Sequence, residues 1–112
     1  MRIAVSVLTV LFALLHIIAA VTQVKSKDSA ARSSASIMLC GSAALICSAA
    51  AHAHLVHDSA GAWIAALPAA CGFLLICFAA YLNGRRSGNV HISHHLVRGG
   101  IAALLVLGLF LW

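Results

Sequence analysis

Glutamate is absent from this chain, and its only acidic residues are Asp28 and Asp58. Charged side chains of both signs make up just 8% of the 112 residues, against 63% hydrophobic ones and a mean hydropathy of +1.08. A soluble domain this small needs a polar skin around one core, and so few charges cannot supply it. Neither aspartate falls within an apolar stretch, so the carboxylate on which proton-coupled transport usually relies inside a membrane is missing. There is also no Walker loop, dinucleotide fingerprint, nucleophile-and-base motif or Cys-x-x-Cys, and no soluble domain to hold a nucleotide. The chain therefore reads as non-enzymatic. Cys40, Cys47, Cys71 and Cys77 all sit inside apolar segments. They are not spaced as a disulfide framework and read as small membrane hydrophobes.

What the sequence does contain is apolar length. A helix needs about 20 mainly apolar residues to cross a hydrocarbon core of roughly 30 Å. Four such stretches occur, at about 3–24, 36–56, 62–82 and 92–112. The expected fold is all-α: an integral membrane four-helix bundle forming one domain over 1–112. The first stretch follows Arg2 and carries Ala19-Ala20, which superficially suits a cleaved signal peptide. It is long enough to span, however, and cleavage would send Lys25, Lys27 and Arg32 across the membrane, so it reads as a span.

Seven Lys and Arg against two Asp give a formal net charge of +5. Nucleic acid is not the implied partner, because the cations lie in short connectors beside apolar spans, where orientation and lipid headgroups account for them. Lys25, Lys27 and Arg32 follow the first span, and Arg85, Arg86 and Arg98 follow the third. Only Arg2 belongs to the other side. The positive-inside rule places both connectors in the cytoplasm and both termini outside, in a multi-pass protein of the cell membrane. Trp63 and Trp112 then fall at the outer interface and Tyr81 at the inner one, as interfacial aromatics should.

Small residues point to close helix packing, which lipid does not drive by hydrophobicity. In the second span Ala44, Ser48 and His52 recur at intervals of four, and Gly99, Gly100, Ala103 and Gly108 give the fourth span smooth surfaces. Pro68 is expected to kink the third span and free a carbonyl. The segment ending in Gln23 (Ala-Ala-Val-Thr-Gln) loosely echoes the one ending in Asn83 (Ala-Ala-Tyr-Leu-Asn), though small residues make coincidence the simpler account.

Seven histidines in so apolar a chain are its one unusual chemical feature. His91, His94 and His95, with Arg98, have the spacing of one helical face, which can gather imidazoles around a metal. The plainer reading is a polar helix start meeting lipid phosphate or water. A second polar cluster comprises His52, His54, His57 and Asp58. On a helix His54 and His57 share a face and His52 points away, and Asp58 could orient an imidazole. Interfacial solvation is the plainer reading there too. His16 stands alone within the first span, on a stripe with Thr9, Ala13 and Ala20, and should face the bundle.

At about 1.5 Å rise per residue, His16 lies roughly 20 Å below the outer surface and His52 about 7 Å below it. These two cannot share one metal, whereas His16 with His94 or His95 can be brought together. The leading expectation is a small accessory or interaction component, working through its helix faces and a basic cytoplasmic rim, with the bilayer, a membrane protein or a second copy as partner. Two alternatives stay open: a transition-metal or haem protein using His91, His94, His95 and His16, and a small oligomeric transporter or channel.

Overall fold

A computed structural model describes residues 2–55, 59–88 and 92–111. It contains four helices in chain order, α1 (Arg2–Val24), α2 (Ser29–Leu55), α3 (Ser59–Arg86) and α4 (Ile92–Leu111), each long and apolar enough to cross a membrane. Successive helices run antiparallel, and α4 returns to pack on α1 as well as α3.

The distribution of side chains is the reverse of a soluble core. The buried interior is mostly alanine, serine and glycine, including Ala13, Ala20, Ser34, Ala35, Ser42 and Ala69. Large aliphatic side chains face outward instead, with Leu15 67%, Leu74 70%, Leu96 71% and Leu104 71% exposed. Water would penalise such a coat by roughly 25 cal/mol per Å² of apolar surface, whereas lipid would not.

The tightest packing joins α2 to α3. Ser34, Gly41 and Ser48 are spaced seven residues apart on α2 and face Ala79, Gly72 and Ala65, spaced likewise on α3. At the centre the two backbones nearly touch. A Cβ on Gly41 would lie 2.7 Å from the Gly72 carbonyl oxygen, and one on Gly72 equally close to the Gly41 oxygen. At the flanks, Ser34 Oγ donates to the Ala79 carbonyl at 2.9 Å and Ser48 Oγ donates to the Ala65 carbonyl. A seven-residue repeat keeps one seam facing its partner, as in coiled coils. The second serine also stands beside the proline. Pro68 has no N–H, which deprives the Ile64 carbonyl of its donor, and Ser48 bonds the next carbonyl along while α3 runs unbroken.

The stripe expected on α1 faces inward: Ser6, Thr9, Ala13, His16 and Ala20 are its buried residues. On α2, Ser48 and His52 are buried, but Ala44 is only half-buried. The buried line runs through Gly41, Leu45, Ser48 and His52, because alternating steps of three and four follow the 3.6-residue turn while constant steps of four drift off it. Gly108 of α4 packs on Val5 of α1, where an added Cβ would lie 3.1 Å from a valine methyl. Gly99 and Gly100 have nothing within 4 Å of an added Cβ, so they do not provide the close contact their sequence suggests.

Two helices outrun the expected spans. The connector expected around residues 25–34 is short, because Asp28 caps α2: its Oδ1 accepts from Ala30 N at 2.9 Å and its carbonyl from Arg32 N at 3.2 Å. Helix α3 continues through Asn83, Gly84, Arg85 and Arg86, and the chain turns only at Gly88, whose φ of 68° suits a residue lacking Cβ. Hydropathy marks where a chain is apolar, not where its backbone stops being helical. Arg86 Nε also meets Asp28 Oδ2 at 3.3 Å, tying the open end of the α2–α3 hairpin. That pair is well exposed, so it contributes little to stability.

Replacing Gly41 by Ala should destabilise the bundle by about 1–3 kcal/mol through overpacking. Gly100→Ala should leave it unchanged or slightly more stable. Denaturation from mild into denaturing detergent, followed by circular dichroism, reads both; equal midpoints for G41A and the native chain would refute the close seam.

Candidate functional site

The described cations collect at one end of the bundle. Lys25, Lys27 and Arg32 lie around the α1–α2 turn, Arg85 and Arg86 end α3, and Arg98 lies within the first two turns of α4, while Arg2 stands at the opposite end. Arg32 reaches back to the Ser26 and Lys27 carbonyls, at 3.0 and 3.2 Å, and so braces that turn. Tyr81 is exposed at this end, with the Arg85 guanidinium 6.0 Å from its ring centroid and His95 at 6.3 Å. Trp63, packed edge-on against Phe110 at 4.7 Å, marks the other end. Trp112 lies outside the described residues.

Just inside the basic end is a cavity of about 470 Å³ between α1, α3 and α4. Its polar wall comes from three helices: His16 and Gln23 of α1, Asn83 of α3, and His94, His95 and Arg98 of α4. Met38 of α2 and the small side of α3 at Ala80 and Gly84 complete the wall, and Leu15 and Ala19 form its α1 edge. Leu15 and Ala19 are both exposed on the bundle surface, so the cavity opens sideways between α1 and α4.

Hydrogen bonds orient His16, Gln23 and Asn83. His16 Nδ1 donates to the Phe12 carbonyl at 2.8 Å, so in the neutral ring Nε2 carries the lone pair. Phe12 stacks on that imidazole at 4.3 Å and meets Phe73 of α3 edge-on at 5.1 Å, which fixes the ring's plane. Asn83 Nδ2 donates to Gln23 Oε1 at 2.9 Å, joining α1 to α3, while Asn83 Oδ1 is buried without a hydrogen-bond partner among the described residues. A buried acceptor left unsatisfied costs about 1–3 kcal/mol.

The structure sorts the histidines by helix face instead of by their order in the chain. His16 and the α4 pair His94 and His95 share the cavity wall, the combination that depth along the helices allows. His91, the third member of the expected α4 face, lies outside the described residues, as do His57 and Asp58. His52 and His54 separate: His54 is exposed, while His52 is fully buried with Nδ1 3.0 Å from Ser6 Oγ. Ser6 and His16 are ten residues apart on α1, about 15 Å of helix, so the separation of His52 from His16 holds. His52 Nε2 is buried without a partner among the described residues. No group of three His, Cys, Asp or Glu that could hold a metal ion occurs among the described residues. The cysteines are unpaired, three exposed and Cys77 half-buried, as small hydrophobes would be.

Gln23 and Asn83 were legible only as the ends of two similar segments. Their meeting needed the knowledge that α1 and α3 run in the same direction with matching ends. No family model matches the chain, and neither the curated proteins nor the solved structures contain a match to it.

The Gln23–Asn83 bond sets up a double-mutant test. Gln23→Leu and Asn83→Leu should each destabilise, and the double variant should lose less than their sum, with a coupling of about 0.5–2 kcal/mol. The same detergent denaturation measures it; simple additivity would mean that the bond contributes nothing.

Proposed function

We propose that this chain is a non-enzymatic, multi-pass component of the cell membrane that acts through a cationic cytoplasmic end. The observation that carries this reading is the charge asymmetry. Lys25, Lys27, Arg32, Arg85, Arg86 and Arg98 share one end of four spanning-length helices, and only Arg2 stands at the other. Basic residues flanking membrane spans favour the cytoplasmic side, which places both termini outside. The same residues attract anionic headgroups or an acidic partner surface, each contributing about 1 kcal/mol near an anionic leaflet. Tyr81 and Trp63, at opposite ends of α3, support two interfacial levels. The absence of glutamate, and of any motif pairing a nucleophile with a base, supports a binding role over a catalytic one.

A reporter fused after Trp112 should read extracytoplasmic, and one inserted at Gly88 cytoplasmic. The reverse pattern would overturn the orientation. With Lys25, Lys27, Arg85 and Arg86 changed to Gln, anionic lipid enrichment around the protein in polymer-bounded discs should fall several-fold. Unchanged enrichment would remove the rim from the mechanism.

A further inference from the structure

The lateral opening between α1 and α4 has two parts with different chemistry. Nearer the basic end is the polar cavity of about 470 Å³. Adjoining it along the same pair of helices is a second hollow of about 370 Å³, lined by Phe12, Val97 and Ile101, with Ser93 at its helix-end side. His94 and Arg98 belong to both walls and stand at the junction. Towards the helix ends the wall offers amide and imidazole groups, and towards the middle of the bundle it becomes apolar.

We infer that this paired hollow is a binding site for one anionic phospholipid, its phosphate held by Arg98 with His94 and His95, and the start of an acyl chain lying against Phe12, Val97 and Ile101. This deepens the reading that the basic end meets an anionic leaflet, and it rests on that reading for its source of lipid.

Three observations support the assignment. The first is charge. Among the described residues, Arg98 is the only permanent charge in either wall, and no carboxylate lines them. The one described carboxylate, Asp28, is engaged by Arg86 at the hairpin mouth. A guanidinium binds phosphate in fork geometry, and neighbouring imidazole N–H groups add donors. The second is the polar wall beside Arg98, where the Gln23 and Asn83 amides, joined at 2.9 Å, line the same cavity and suit a polar headgroup. The third is access. Leu15 and Ala19, at the α1 edge of the cavity, are on the outer surface of the bundle, so a lipid enters from the side without leaving the bilayer.

The test is a titration of the full-length purified chain in mild detergent, read by native mass spectrometry. The probes are dioleoyl phosphatidylglycerol, dioleoyl phosphatidylcholine and inorganic phosphate. The native chain should retain one phosphatidylglycerol, bound at least tenfold more tightly than phosphatidylcholine. Arg98→Gln should abolish that preference. Ala19→Trp, which blocks the entrance while keeping every polar group in place, should do the same, so the inference does not hang on the folding of one variant. The variant with Lys25, Lys27, Arg85 and Arg86 changed to Gln should keep the single bound lipid.

Equal binding of the two lipids by the native chain would overturn the proposal, as would a preference that survives in both R98Q and A19W. Displacement of the lipid by millimolar inorganic phosphate would reassign the cavity to a free anion and overturn the lipid assignment. An inverted reporter orientation would instead refute the cytoplasmic placement of the rim and leave this titration unaffected, so the two readings fail separately.

Discussion

The near-contact of two glycine backbones, Gly41 of α2 and Gly72 of α3, sets the geometry of the bundle. In lipid the association of helices draws on dispersion and on hydrogen bonds that need close approach, since leaving lipid tails for leucine side chains gains nothing. A carbonyl lying 2.7 Å from the place of a missing Cβ is approach of that kind. It also explains the serines one seven-residue step away on either side: with the backbones this close, Ser34 and Ser48 reach carbonyls on the other helix instead of turning back to their own. Ser42, off this line, does bond its own helix at Met38. Once α2 and α3 are fixed, α1 settles on α2 with its small-residue stripe. Helix α4, with few inward residues, closes the ring at Gly108 and leaves the α1–α4 seam open at its basic end.

That seam connects packing to the proposed site. A tightly closed ring would have no lateral entrance. The looseness follows from composition: His94, Val97 and Arg98 of α4 are too large to allow the backbone approach that Gly108 permits against Val5. The open part of the molecule therefore coincides with the polar wall formed by His16, Gln23, Asn83, His94, His95 and Arg98.

Much of the architecture was legible in the sequence because it depends on one-dimensional quantities. Four runs of apolar residues give four helices, and steps of three and four on α1 put Thr9, Ala13, His16 and Ala20 on its inner face. Ends were less legible. Asp28 looked like part of a polar connector, and only its place relative to Ala30 makes it a cap; Asn83 to Arg86 looked like a turn and proved helical until Gly88. Pairings were the least legible. Nothing in the composition shows that Gly41 meets Gly72 or that Gln23 meets Asn83, because both depend on the relative heights of helices that the connectors set. The histidines show the same limit. His52 and His54 are neighbours in the chain yet one is buried and the other exposed, whereas His16 and His94, far apart in the chain, line one wall.

The choice between a cation and an anion at that wall follows from electrostatics more than from the histidines themselves. Imidazole serves either, as a neutral ligand to a metal or as a donor to phosphate. What decides is the company it keeps. Two unit charges 4 Å apart interact by about 4 kcal/mol at an effective dielectric of 20, and a divalent ion has twice that charge to be repelled by a neighbouring guanidinium. With Arg98 in the wall and no carboxylate beside it among the described residues to offset the charge, adding a cation raises the energy of the site. An anion lowers it and gives the arginine a counter-ion it otherwise finds only at the membrane surface. His94 and His95, which with Arg98 read as part of a metal face in the sequence, thus suit negative charge better than a cation at the proposed site.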